Sequence, residues 1–82
     1  MRDITIKGKW SNTGRIPKQW ETIYVTMNGF KESKVIGFFE TEGYLGVVAI
    51  PEVYPDWYME KCKAKNENPE PIYVFGNEIR PL

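Results

Sequence analysis

Residues 35–50 read VIGFFETEGYLGVVAI, two apolar runs joined by the polar turn ETEG. The pattern predicts a β-hairpin with strands at residues 34–39 and 44–50. Both runs are apolar at consecutive positions, which indicates either strands buried on both faces or a strongly bent strand that changes sides in a small barrel. Gly37 and Gly46 lie inside the runs and permit a bulge or a tight corner. A curled sheet is therefore favoured over a flat one.

The rest of the chain adds strands, loops and one short helix to this hairpin. Alternating apolar and polar residues predict strands at residues 2–10 and 20–27, and residues 72–75 form a last strand before a tight turn at residues 76–79. Pro55 suits the first turn of a helix, and an acid near its start with lysines near its end complements the helix dipole. A helix is predicted at residues 55–65, docked through Trp57, Tyr58 and Cys62 because three turns are marginal alone.

These elements together predict one domain over residues 1–82 that is mainly β. The expected architecture is a five-stranded SH3-like barrel with an inserted helix at residues 55–65, and residues 1–19 form an arm of one strand and a loop.

The net charge of the chain limits the classes of partner that it is expected to bind. Eleven basic and eleven acidic side chains cancel, so no overall field draws the chain to phosphate backbones. Residues 1–34 carry seven Lys or Arg against three acids, whereas residues 35–60 carry five acids and no base. The sequence thus predicts a basic side and an acidic side, although a solvated mixed surface is the commoner meaning of such a distribution.

Residue types argue against catalysis. Histidine is absent, which removes the commonest general base and metal ligand, and Cys62 is a lone cysteine expected to be a buried thiol. Glu40 and Glu42 are expected to be solvent-facing charges of a turn. We therefore predict no enzyme activity, no catalytic residues, no metal and no cofactor. No apolar run approaches the roughly 20 residues that span a bilayer, so a soluble cytoplasmic protein without a membrane partner is expected.

The aromatic side chains are the best candidates for a binding surface. A core of this size buries few large rings, and Tyr and Trp carry polar atoms that prefer a wet edge. Phe38 is expected in the core, but some of the other rings should lie at the surface. Exposed Trp or Tyr beside Lys can stack on bases or grip proline-rich peptides. The predicted binding surface comprises Lys7, Lys9, Trp10, Arg15, Lys18, Trp20 and Tyr24.

A resemblance rests on residues 27–29 (MNG), 35–39 (VIGFF), 43–47 (GYLGV), 55–57 (PDW) and 75–79 (FGNEI). In that order they resemble short uncharacterised proteins of tailed bacteriophages and prophages, over roughly residues 20–80. The second half is also similar to SH3-like domains, in which a hairpin is followed by a strand, one 3₁₀ turn and a short terminal strand. The resemblance implies a phage or prophage origin and a barrel, brings no catalytic residues, and does not extend to the segment before Gln19.

Two functional hypotheses follow, with a third of lower weight. The first is a non-enzymatic phage accessory protein that binds a host or phage protein through an exposed edge strand and aromatic side chains, in the host cytoplasm. The alternative is a small barrel that binds nucleic acid or a nucleotide through the basic amino-terminal half. A third is a sponge for a small signalling molecule in counter-defence. The sequence leaves the oligomeric state open.

Overall fold

The computed structural model describes residues 8–82, which have a mainly β architecture. Four strands form one antiparallel sheet in the order β1-β2-β3-β4, curled into a half-barrel. They are Thr22–Val25 (β1), Lys31–Thr41 (β2), Tyr44–Pro51 (β3) and Ile72–Phe75 (β4). A helix, Asp56–Lys65 (α1), connects β3 to β4, and a 3₁₀ turn, Gly76–Glu78, follows β4.

The predicted elements at residues 44–50, 55–65 and 72–75 are confirmed, with Pro55 as the residue that caps α1. The predicted strand at residues 20–27 shrinks to β1 because residues 18–21 form a turn, in which the Glu21 N–H donates to the Lys18 carbonyl at 3.1 Å. The predicted strand at residues 2–10 lies almost wholly outside the described residues. Of its described part, Lys9 makes a single parallel bridge to Tyr44. Residues 8–82 therefore form four strands, and the five predicted strands are not all present there.

A β-bulge in β2 explains the consecutive apolar residues of the hairpin. Val35 pairs with Ala49 but Gly37 pairs with Val48, so Ile36 is an extra residue on β2. Gly37, one of the two glycines at which the sequence permits a bulge or a tight corner, lies directly after this bulge, and the curled sheet that they favour is confirmed. A bulge resets the alternation of side chains along its strand.

Phe38 lies beyond the bulge, and the expectation that it fills the core is wrong. It pairs with the buried Val47 and so points to the core side of the sheet, yet its side chain is 42% exposed. The reason is the length of β1, which pairs only with residues 31–34 of β2 and leaves the region around Phe38 uncovered.

The core occupies the concave face of the sheet and draws on alternate strand positions. Its members are Ile23, Val25, Phe30, Val35, Val47, Ala49, Ile72, Val74 and Ile79. Burying such side chains stabilises the fold by about 1.5–3 kcal/mol for each large one.

Helix α1 closes one end of this core through its aromatic residues, as predicted. The ring of Phe30 makes edge contacts with Trp57 at 5.7 Å and Tyr58 at 5.8 Å between ring centroids. The Trp57 indole N–H donates to the Asn28 carbonyl at 2.9 Å, and Cys62 is a buried free thiol.

The carboxyl-terminal segment covers the outer edge of β1. Ile79 makes a bridge to Val25, and the Arg80 N–H donates to the Tyr24 carbonyl at 2.9 Å. The Asn12 side-chain amide ties the amino-terminal loop to this region, donating to the Gly76 carbonyl at 2.6 Å and the Ile79 carbonyl at 3.1 Å. Within residues 8–82, no helix has the length and apolarity needed to cross a membrane.

Candidate functional site

The second half of β2 lacks a neighbouring strand on the β1 side. The last contacts along that side are the Trp20 N–H to the Val35 carbonyl at 2.7 Å and the Gln19 side-chain amide to the Ile36 carbonyl at 3.1 Å. Beyond them, residues 37–41 have no backbone partner on this side within the described chain. We call residues 37–41 the open edge.

Two residues of the open edge direct their backbone groups outward. Glu40 pairs with Leu45, but the Leu45 N–H donates to the Lys9 carbonyl on the far side of β3, at 2.9 Å. The pair is therefore not hydrogen-bonded across the hairpin, and the Glu40 N–H and C=O point away from β3. Because this direction alternates along a strand, Phe38 also points its N–H and C=O outward. The open edge presents two donors and two acceptors.

The other edges of the sheet are only partly protected. Residues 78–80 cover β1, as described above. On β4, the Phe75 N–H donates to the Glu78 carboxylate at 2.8 Å, and Pro71, which has no N–H, stands immediately before the strand. Tyr73, in the middle of β4, also directs its N–H and C=O outward, because its neighbour Val74 bonds to Val47, and these groups have no partner within residues 8–82. The open edge differs from this single position in presenting two outward residues, Phe38 and Glu40.

The hairpin turn fixes the pairing register of β2 and β3, and the register decides which residues direct their backbone groups outward. Glu42 and Gly43 both have positive φ, 52° and 83°, as the two central residues of a type I′ turn require. Glu40 and Glu42 are exposed, which confirms the prediction that they are solvent-facing. They give the turn end of the open edge a negative charge.

Trp20 lies at the other end of the open edge in a strained conformation. It is the third residue of the turn at residues 18–21 and has φ of 73°, where glycine or asparagine is favoured and a bulky residue is an outlier. Its side chain is 64% exposed, so burial does not explain the strain. Backbone strain of this kind clusters at functional sites.

An aromatic cluster covers the outer face of the sheet next to the open edge. Its members are Phe39, Tyr44, Tyr73 and Phe75, which we call the outer aromatic cluster. Phe39 makes edge contacts with Tyr73 at 5.3 Å and Phe75 at 5.4 Å, and Tyr44 lies 6.4 Å from Phe75. Tyr73 is 63% exposed. The sequence did not single out Phe39 or Phe75 as surface residues, although the alternation in β4 could have indicated Phe75.

The residues predicted as a binding surface are divided between two edges of the hairpin. Lys9 lies beside the start of β3, and its N–H donates to the Gly43 carbonyl at 2.8 Å. Lys18 and Trp20 lie on the opposite side, along β2. Lys7 is outside the described residues.

Three further members of the predicted surface are engaged within the fold. Trp10 is packed against the core, and its indole N–H donates to the Gly14 carbonyl at 3.1 Å. The Tyr24 ring carries the Arg80 guanidinium at 3.7 Å from its centroid. Arg15 forms an ion pair with Glu21.

The Arg15–Glu21 pair shifts both pKa values. The Arg15 side chain donates to the Glu21 carboxylate, at 2.8 Å from Nη1, and the Lys18 backbone N–H donates to it at 2.9 Å. These hydrogen bonds, the Arg15 one above all, lower the pKa of Glu21 to about 2, and the pKa of Arg15 rises for the same reason. The pair holds the turn that carries Trp20.

A shallow groove of about 560 Å³ lies at the opposite end of the sheet, between the start of β2 and the segment that leads into α1. Burial beside Tyr58 and Cys62 raises the pKa of Tyr54 there, and its hydroxyl donates to the Glu70 carbonyl at 2.8 Å. Within residues 8–82 no group of three or more carboxylate or thiol side chains is placed to hold a metal ion.

Comparison with protein-family models, curated proteins and solved structures found no match to this chain. The candidate site is therefore judged on its geometry.

Proposed function

We propose that this chain is a non-enzymatic protein-binding module that takes an extended segment of a partner protein as an added strand along the open edge. The observation that carries the proposal is the outward direction of the Phe38 and Glu40 backbone groups, which have no partner among residues 8–82. Unpaired strand edges of this kind recruit extended peptides through main-chain hydrogen bonds.

The surroundings of the edge define the partner segment. An added strand would place alternate side chains beside Phe38 on the core side and beside Phe39 on the outer face. Apolar residues at alternate positions would bury the exposed part of both rings. Glu40 and Glu42 favour a Lys or Arg in the partner near the turn, since opposite charges on neighbouring strands attract.

Trp20 supports the proposal through the cost of its conformation. A bulky residue whose backbone is held at φ of 73° lowers the folding stability by about 1–3 kcal/mol. We propose that the ring contacts the partner where the added strand ends, which compensates that cost in the complex. Trp is among the residues that most often dominate binding energy at protein interfaces.

The finer fold is also a proposal. We propose that the half-barrel is SH3-like, with the segment at residues 79–80 in the place of a fifth strand. The bridge from Ile79 to Val25 and the 3₁₀ turn Gly76–Glu78 before it support this arrangement. A phage or prophage origin and action in the host cytoplasm remain predictions of the sequence.

The nucleic-acid alternative has less support from the geometry. Arg15 is paired with Glu21, and Lys9 and Lys18 lie on opposite edges of the hairpin. A continuous basic surface does not result from these described residues. Binding of single-stranded DNA that falls steeply with salt would favour the alternative over protein binding.

The experiment is selection of peptides from a displayed library of random linear sequences by the immobilised protein. Selected peptides are expected to bind wild type and Glu40→Gln but not Glu40→Pro. Proline at residue 40 removes an outward N–H and none of the hydrogen bonds between β2 and β3, and it keeps the preceding residue extended, so the hairpin can form. Glutamine keeps that N–H and serves as the matched control. Peptides that bind Glu40→Pro as well as wild type would contradict strand addition.

Hydrogen exchange gives an independent measurement on the same complexes. The amide of Phe38 should exchange rapidly in the free protein and slowly with peptide bound, whereas the amide of Phe39, paired with Gly46 inside the hairpin, should be protected in both states. Unchanged exchange at Phe38 on binding would place the peptide elsewhere.

A further variant tests Trp20. Because glycine adopts positive φ without strain, Trp20→Gly should raise the free energy of unfolding by about 1 kcal/mol while weakening peptide binding. A variant that is both less stable and equally able to bind would show that the ring serves the fold.

A further inference from the structure

We propose that a second copy of this chain occupies the open edge, forming a two-fold symmetric dimer in which residues 37–41 of the two copies pair antiparallel about an axis at Phe39. This inference rests on the proposed function, because it uses the same edge and names the partner that fills it.

The spacing of the outward residues fits such a dimer. Phe38 and Glu40 flank Phe39, so an axis at Phe39 sets Phe38 of each copy opposite Glu40 of the other. Both members of each pair direct their N–H and C=O outward, as a hydrogen-bonded antiparallel pair requires. The two equivalent pairs give four intermolecular hydrogen bonds and leave no outward group of these residues unpaired.

The length of the edge fits as well. On one side the open edge ends at Ile36, whose carbonyl accepts the Gln19 side-chain amide, and on the other side the hairpin reverses at Glu42 and Gly43. In the proposed register the second copy's Thr41 lies beside Gly37, and its chain then turns away before it reaches Gln19. Five open residues receive a five-residue strand.

The two neighbouring registers are unfavourable. An axis at Phe38 would carry the second copy's strand across residues 19–20, which already occupy that side of β2. An axis at Glu40 would place the two Glu40 carboxylates directly opposite each other, and like charges in that position destabilise a sheet. The register centred on Phe39 avoids both costs.

Charge and apolar surface are complementary in the same register. The acidic turn with Glu42 comes opposite Ile36, next to the turn that carries Lys18 and Trp20. Lys18 thus lies near the acidic hairpin turn of the second copy. The two Phe39 rings meet across the axis, so the outer aromatic cluster continues from one copy to the other. Their Cα atoms would lie about 4.5 Å apart, the spacing of a pair that is not hydrogen-bonded.

Sedimentation equilibrium of the whole chain tests the dimer. An interface of five paired residues a side is small, so we expect the mean mass to rise from that of the 9.6 kDa monomer towards twice that value between about 10 µM and about 1 mM. Glu40→Pro removes two of the four hydrogen bonds and should raise the dissociation constant about tenfold or more, whereas Glu40→Gln should not weaken the dimer. A wild-type chain that stays monomeric, or a Glu40→Pro chain that dimerises equally well, would overturn the proposal.

Disulfide trapping tests the register and does not depend on the folding of the proline variant. In a Cys62→Ala background, Phe39→Cys should form an intersubunit disulfide on mild oxidation, because its Cα separation lies in the range that a disulfide spans. Glu40→Cys, two strand positions off its symmetry mate, should do so slowly. The reverse order of rates would overturn the register.

Failure of this inference differs from failure of the proposed function. Library peptides that bind at the open edge of a wild-type chain that is monomeric throughout would leave the proposed function standing and remove the dimer. A dimer through the open edge that binds no library peptide would support this inference and remove the proposal of a different protein partner.

Discussion

Replacing Gly46 by alanine should destabilise the domain by removing Phe39 from its place. A Cβ built at residue 46 would lie 2.8 Å from the Val74 carbonyl oxygen and closer still to two ring carbons of Phe39. The ring must therefore swing out and lose its edge contacts with Tyr73 and Phe75. At about 0.5–1.5 kcal/mol for each aromatic pair, the loss is about 1–3 kcal/mol.

A smaller gain opposes this loss. Alanine restricts the unfolded chain more than glycine and stabilises by about 0.4–1 kcal/mol where the backbone tolerates it. At the middle of both ranges the net expected cost of Gly46→Ala is about 1.3 kcal/mol, which lowers Tm by about 5–10 °C for a domain of this size. The β-branched Gly46→Val should cost more. Thermal unfolding followed by circular dichroism measures the shift.

Gly37 supplies the matched control, since it lies in the same hairpin but a Cβ built there meets nothing within 4 Å. Gly37→Ala should leave Tm unchanged or raise it. In a Phe39→Ala background, Gly46→Ala should cost less than in wild type because the obstructing ring is gone. Equal costs in the two backgrounds, or equal Tm shifts for Gly37→Ala and Gly46→Ala, would refute the reasoning.

Three further predictions concern the turn, the amino-terminal loop and the helix. Because the pKa of Glu21 is lowered to about 2 in the folded chain, its carboxylate contributes stability above the unfolded value near 4.5, and this stability is lost as pH falls from 4.5 to about 2. Tm should therefore fall more steeply in this pH window for wild type than for Glu21→Gln. Parallel curves of Tm against pH would contradict a contribution from the ion pair. Asn12→Asp replaces an amide donor that serves two carbonyls and should cost about 1–3 kcal/mol in urea unfolding at neutral pH, with a neutral outcome arguing against those bonds. Trp57→Phe should cost about 0.5–1.5 kcal/mol for the lost bond to Asn28, and Trp57→Ala more, because it also removes the ring from Phe30; equal losses would assign no energy to the ring contact.

Much of the secondary structure followed from local signals in the sequence. Pro51 near the end of β3, Pro55 before α1 and the short apolar run of β4 mark their elements directly. The curled sheet followed from consecutive apolar residues combined with Gly37 and Gly46, which permit a bulge or a tight corner, and the bulge lies at the first of them. These features depend on residues close to one another along the chain, which is why pattern alone predicted them.

The candidate site was less accessible to prediction. Trp20 was expected in the binding surface for its ring, but its positive φ depends on a turn closed by Glu21 and Lys18 and held by Arg15. Phe38 was expected in the core and does point to the core side of the sheet, but it is exposed because β1 ends before reaching it, which no local pattern reveals. The edge itself exists because β1 is only four residues long, opposite an eleven-residue β2.

The sequence by itself determined a small mainly β domain, a curled central hairpin, a short helix docked by aromatic residues and the absence of histidine chemistry. Only the tertiary structure decided which parts of the strand edges are covered and which are open. The bridge between Ile79 and Val25 and the contact of the Gln19 side chain with Ile36, beyond which the edge is open, join residues far apart in the chain, and no local pattern encodes them. Whether a backbone N–H is paired depends on what lies beside it in space, so the outward groups of Phe38 and Glu40 could be identified only from the folded chain.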